Sequence, residues 1–338
     1  MMNFCTLFDS YYIHKGIALY LSLEKVSDDF HLYVMAFDED CYNKLKTLDF
    51  KHLTVELAKD FETQELLAVK PFRSKAEYCW TCGPSVIYHF INKYRLPSLT
   101  CVDADLWFLH NPKIAFDEIG DSSVAITEHF YDPKDIYARN SPAGKYCVQF
   151  TYFKNDIDGI ACLKWWRDRC IEWCYSRYED GKCGDQKYLE SFEKLFKNVH
   201  VIKNRAVPLA PWNMNSYKYK DGFSLSLNGV TFEIVFFHMH GLSFIENGDT
   251  LVGKARYEIT DDIKEYFYTP YMTYVAGIYN NYLGGNIKQV KVVGRSWKEA
   301  IWQRLKLSLR ENKIVRFLYY KMNTLLKVDH ATKESKKC

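Results

Sequence analysis

The sequence predicts an α/β fold, a mixed but mostly parallel sheet flanked by helices, with a basic helical tail at its C-terminal end. Three observations carry that reading. Apolar runs of strand length alternate with helical stretches from the first residues onward, three of those runs end at an Asp, and the composition of the chain changes abruptly after residue 285.

Residues 4–8 form the first apolar run and end at Asp9; a helical stretch over 14–23 follows, then a second run, 31–37, ending at Asp38. Residues 78–94 predict a helix stopped before Pro97, and 99–102 predict a third strand running directly into Asp103-Ala104-Asp105. Downstream, 123–127 and 147–153 predict strands, and 160–175 and 185–196 predict helices. Two alternating runs, 223–227 and 230–237, flank Asn228-Gly229, the pairing expected of a tight hairpin with a type I′ turn. With no repeat and no linker before residue 285, one domain over 1–285 followed by a tail over 286–338 is the expected organisation.

Apolar residues make up 48% of the 338 and charged residues 26%, which excludes a disordered or fibrous chain. No basic-then-apolar leader precedes Asp9 and no stretch is long and apolar enough to span a bilayer, so a cytoplasmic protein is expected. Its 11 cysteines then read as reduced thiols; Cys79-Trp80-Thr81-Cys82 lacks the second pair a zinc site needs. The net charge of +3 speaks against nucleic acid, but it conceals an asymmetry. Residues 286–338 carry 14 Lys and Arg against 4 Asp and Glu, leaving 31 against 38 in the rest. In that tail Trp297, Ile301, Trp302, Leu305 and Leu309 share a helical arc of about 140°, among basic residues such as Arg295, Arg304 and Arg310. Such a helix suits either the surface of an anionic membrane, which would make the protein peripheral, or packing on the 1–285 domain or on a partner.

Strand ends on the carboxyl edge of a parallel sheet are where ligands bind. At that edge Asp103 and Asp105, two apart on an extended segment, can turn both carboxylates to one side, where oxygen ligands favour Mg²⁺ or Mn²⁺. The alternative is a cap and a solvated side chain. His238-Met239-His240-Gly241 sets two imidazoles on one face of a strand, suited to a metal or to an edge. Gly184-Asp185-Gln186 opens a helix, either as an N-cap or as a pair that grips hydroxyls. Nothing in the chain matches G-x-S-x-G or G-x-G-x-x-G, so neither a serine hydrolase nor a dinucleotide oxidoreductase is indicated.

In this order the motifs resemble the nucleotide-sugar-dependent glycosyltransferases of the GT-A fold, in particular family eight, the glycogenin and lipopolysaccharide galactosyltransferase group. The elements carrying the likeness are Thr6-Leu-Phe-Asp9 with Tyr11-Tyr12, Asp103-Ala-Asp105, Gly184-Asp185-Gln186, Pro211-Trp-Asn213 and His238-Met-His240-Gly241, across roughly residues 3–245. The resemblance implies a metal site of Asp103, Asp105 and His238 holding Mn²⁺ or Mg²⁺, with Asp103 also on the donor ribose. It implies that Phe8, Asp9, Tyr11, Tyr12 and Asp38 meet the base and ribose, and that Ala104, His240 and Gly241 line the donor site. Asp185 and Gln186 would touch the transferred sugar as the catalytic pair, beside Asn213. The implied partners are a nucleotide sugar, UDP-linked by preference, and a glycan or lipid-linked acceptor.

Two departures from the family pattern stand out. The Lys expected six residues beyond His238 is Phe244, so the diphosphate contact is either missing or supplied from elsewhere, with Arg73 and Lys75 the candidates. The Asn-Ala-Gly that lines the sugar site is Cys147-Val-Gln149, so Gln149 faces the sugar in an altered pocket. Two other classes share the layout: a nucleotidyltransferase or pyrophosphorylase, which would carry a Gly-rich phosphate loop in place of Asp9-Ser-Tyr-Tyr, and a non-catalytic nucleotide-sugar-binding module.

Overall fold

The computed structural model describes residues 1–134 and 141–295. Seven strands form the main sheet: β1 (Met2–Phe8), β2 (Phe30–Ala36), β3 (Leu53–Leu57), β4 (Ser98–Val102), β6 (Val124–Glu128), β7 (Tyr146–Lys154) and β8 (Val199–Ile202). Their order is β3-β2-β1-β4-β7-β6-β8. Only β7 runs against its neighbours β4 and β6; every other pairing is parallel.

Alternation along β1 explains why the sheet is covered on both faces. Phe4 and Phe8 join one core with Ile17, Leu19 and Leu23 of the helix Ile13–Val26, whereas Cys5 joins another with Val86, Ile87 and Phe90 of the helix Lys75–Tyr94. The second helix starts on a capping box, Ser74 with Glu77, three residues earlier than the apolar pattern alone marks. Because β1, β2 and β4 are parallel and in register, Asp9, Asp38 and Asp103 emerge at one edge, as the sequence predicts.

Three small sheets complete the fold: β5 (Leu106–Phe108), β13 (Phe236–His238) and β9 (Pro208–Leu209); β10 (Lys218–Lys220), β11 (Ser224–Leu227) and β12 (Val230–Glu233); β14 (Leu242–Asn247), β15 (Thr250–Ala255) and β16 (Gln289–Val293). The hairpin forms about Asn228 and Gly229, both at positive φ, 52° and 81°. Its second strand stops at Glu233 instead of continuing to Phe237. Ile234 and Val235 are fully buried, and their backbones bond to Phe223, Ala206 and Leu109, which hands the chain to a different sheet as β13.

Other differences are local. The helix expected from Asp185 is a 3₁₀ turn, Gln186–Ser191, followed by Phe192–Leu195, and the Trp-rich helix runs Ile157–Glu172. Gln289–Val293, inside the stretch assigned to the tail, is a strand paired parallel with β15, so the ordered fold continues past residue 285. The amphipathic pattern from Trp297 onward lies outside the described residues. The ten described cysteines are free thiols, Cys79 and Cys82 among them. Among the described residues, no helix is long and apolar enough to cross a membrane.

Candidate functional site

Beyond β4 the chain turns through Asp103-Ala-Asp105 and re-enters as β5, which pairs antiparallel with β13 so that Leu106 faces His238. Met239 N–H closes the turn by donating to the Asp105 carbonyl at 2.9 Å. That pairing unites residues 133 apart: His238 Nε2 lies 3.0 Å from Asp105 Oδ1 and 3.4 Å from Asp103 Oδ2. One ligand atom from each of the three falls within 4.8 Å of the others, a cluster of two oxygens and one nitrogen able to hold a single ion. Hard carboxylates with one imidazole fit Mn²⁺ or Mg²⁺ better than a thiophilic metal.

The neighbours of this cluster fix its protonation. His238 Nδ1 is 2.8 Å from Gln149 Oε1, an acceptor, so Nδ1 carries the hydrogen and Nε2 faces the carboxylates. Lys15 Nζ stands 3.2 Å from Asp105 Oδ2, with side chains only 5% and 11% exposed. Burial by itself raises the Asp105 carboxyl, but the Lys15 ammonium and His238 outweigh it and hold it well below the usual range. Asp103, more open to solvent, is pushed up to about 6 by burial and by the Asp105 charge, against the pull of His238. His238 rises despite burial because both carboxylates face it, and burial with His238 alongside lowers His240 to about 3, keeping it neutral.

Each expected contact residue takes a definite place. Asp185 is buried, makes no capping hydrogen bond, and is pushed up to about 7 by burial and by Asp103. Its backbone carbonyl is held by the Trp166 indole at 2.9 Å. Gln186 is engaged internally, accepting from Val148 N–H at 3.3 Å and donating to the Ala143 carbonyl at 3.2 Å. Asn213, fully buried, braces the loop through Ala210, His129 and Pro208. Asp38 caps the helix Glu39–Lys46 through Cys41 and ties down Ser10. Phe8 and Ala104 belong to the core, and Phe8 packs where any side chain at position 16 would sit, 2.2 Å from a Cβ there. Arg73 stacks on Tyr175 at 3.8 Å and Lys75 is exposed; neither forms an ion pair with the carboxylate cluster.

Tyr11, Tyr12, Gly241 and Phe244 line a cavity of about 440 Å³ that also touches Ser10, Lys15 and Tyr279. Tyr11 stands largely exposed at its mouth, and Asp9 precedes the turn that begins it. Trp212 packs edge-on against both His238 and His240, 5.3 and 5.5 Å between ring centres, and its indole Nε1 is buried without a hydrogen-bond partner. Gln149 Nε2 is likewise unpartnered. Both donors sit beside His238 and outside the lining of the cavity.

Sequence reading missed Lys15. Its signal was there: a single Lys inside the otherwise apolar stretch Ile13–Leu23, where a buried cation needs a buried anion.

No protein-family model matches the chain. YfnF of Bacillus subtilis (strain 168) is 31% identical over 250 residues, covering 72% of this chain and 82% of YfnF. The chain belongs to the YfnF family. YfnD of the same organism is also 31% identical, over 278 residues, spanning 80% of this chain and 87% of YfnD. Neither relative brings an activity to the YfnF-family chain. The galactosyltransferase LgtC, solved in complex with donor and acceptor sugar analogues, aligns with a TM-score of 0.50 at 12% identity, over 82% of this chain and 95% of LgtC. The YfnF-family fold is thus the GT-A glycosyltransferase fold.

Proposed function

We propose that the protein is a divalent-metal-dependent glycosyltransferase that moves a sugar from a nucleoside diphosphate, uridine-linked by preference, to a glycan or lipid-linked acceptor in surface polysaccharide or lipopolysaccharide synthesis. One observation carries this reading: Asp103, Asp105 and His238 converge beside an aromatic-walled cavity at the carboxyl edge of the parallel strands.

Asp103, Asp105 and His238 would hold Mn²⁺ or Mg²⁺. When bound, the ion supplies Lewis-acid stabilisation of the negative charge that builds on the departing diphosphate. Gln149 keeps His238 in the tautomer that binds it. Tyr11 and Tyr12 give the base a wall to stack on. Trp212 and Gln149 offer unpartnered N–H donors to sugar hydroxyls, and Asp185 brings a carboxylate to the positive anomeric carbon or to the acceptor hydroxyl. The family resemblance favours retention of the anomeric configuration, and product NMR distinguishes it from inversion.

We further propose that the basic tail rests on an anionic membrane at the cytoplasmic face. Flotation of the full chain with anionic but not zwitterionic vesicles is expected, and equal partition between the two would overturn it.

The test of the function is a thermal-shift panel of nucleotide sugars with and without Mn²⁺. A Mn²⁺-dependent rise in Tm with one class of donor is expected; no such rise with any donor defeats the reading.

A further inference from the structure

Lys15 is a buried ammonium and, among the described residues, pairs with Asp105 at 3.2 Å. It also lies 4.4 Å from the Tyr12 ring centre and 6.0 Å from that of Phe244, and it lines the cavity. Two of its neighbours are therefore a metal-ligand carboxylate and the wall of the nucleotide pocket. A cation in that position has two possible anions to serve.

Charge accounting separates its two states. Without a metal, Lys15 offsets the Asp105 carboxylate, an arrangement without which two close acids would face each other buried. With a divalent ion on both carboxylates the acids are already neutralised, and a second buried cation beside them is in excess. A diphosphate entering on that ion brings two negative charges within reach of the same ammonium. Arg73 is held at Tyr175 and Lys75 is exposed, while Arg256 stands beside Gly241 and His240.

We propose that Lys15 changes partner during the donor-binding cycle: it pairs with Asp105 in the metal-free protein and turns to the donor diphosphate once Asp105 ligates the ion. The inference rests on the nucleoside-diphosphate reading above and adds the residue that holds the diphosphate, in place of a lysine at position 244.

The two roles of Lys15 predict opposite changes when its charge is removed. Titration calorimetry would measure Mn²⁺ alone, then UDP at saturating Mn²⁺, on the wild type, Lys15→Met, Lys15→Gln and Lys15→Arg. Loss of the competing cation should tighten Mn²⁺ several-fold in the Met and Gln variants, while UDP binding weakens roughly tenfold or more. Lys15→Arg should keep UDP affinity close to wild type. If UDP binds the folded Met or Gln variant as tightly as the wild type, or more tightly, Lys15 is only a counter-ion of Asp105 and the proposal fails. If the wild type binds none of UDP, GDP, CDP or ADP with Mn²⁺, it is the donor reading that fails. Gln stands in for Met should the latter not fold, since it keeps a polar head at the same depth.

Discussion

His238 Nδ1 and Gln149 Oε1 lie 2.8 Å apart, and this bond joins the two ends of the candidate site: one residue on β13, the other on β7. Orientation of the imidazole depends on it. Gln149→Leu should weaken Mn²⁺ binding roughly 10- to 100-fold without unfolding the protein, as removal of a residue that orients a metal ligand commonly does. Calorimetric titration of Mn²⁺ checks this, and unchanged affinity would show that His238 needs no partner.

Asp105→Ala should abolish metal-dependent donor hydrolysis and, separately, destabilise the fold by about 3 kcal/mol, because it strands the Lys15 charge in the core. Combining it with Lys15→Met should recover much of that loss. Urea unfolding of the four proteins of the cycle measures it; additive losses would mean the two residues do not interact.

Asp185 carries a pH dependence. Its carboxyl ionises near 3.8 when unfolded and near 7 in the fold, where burial and then Asp103 oppose the charge. A raised carboxyl contributes stability that is complete below the unfolded value and fades as pH climbs through the folded one. In EDTA, Asp185→Asn should therefore melt higher than the wild type at pH 8 and alike at pH 4. Turnover that requires the carboxylate should rise through pH 7, and the rise should vanish in the Asn variant.

Gly241 sits at φ +72°, and a Cβ there would meet the Arg256 Cβ at 2.7 Å. Gly241→Ala should cost about 1 to 2 kcal/mol through the left-handed backbone alone and distort the cavity wall between His240 and Phe244. A fall in Tm together with weaker UDP binding is the expected pair of readouts.

How much of this was legible in the sequence follows from the range of the forces involved. Alternation and apolar runs act over a few residues, so the strands ending at Asp9, Asp38 and Asp103 could be read directly, and Asn228-Gly229 fixed its own turn. The break after Glu233 could not: Ile234 and Val235 continue the strand pattern, and only their bonds to Ala206 and Leu109, distant in sequence, redirect them. The candidate cluster of Asp103, Asp105 and His238 was legible through residue type and order. The hydrogen bonds by which Asn213, Asp38 and Gln186 brace backbone were not, because they depend on groups that only the fold brings near. Lys15 was hidden for a similar reason, since a helix position reveals its burial only once its neighbours are known.

The 133-residue separation of Asp105 and His238 has a consequence for assembly. An ion shared between them would close that span of chain, much as a cross-link does, and such closure restricts the unfolded ensemble more as the loop grows. A chain that ends before β13 lacks His238 and cannot build the site. Ion capture by the proposed site would then wait on the synthesis of β13, and the fold without the ion would lack a clasp between strands far apart in sequence.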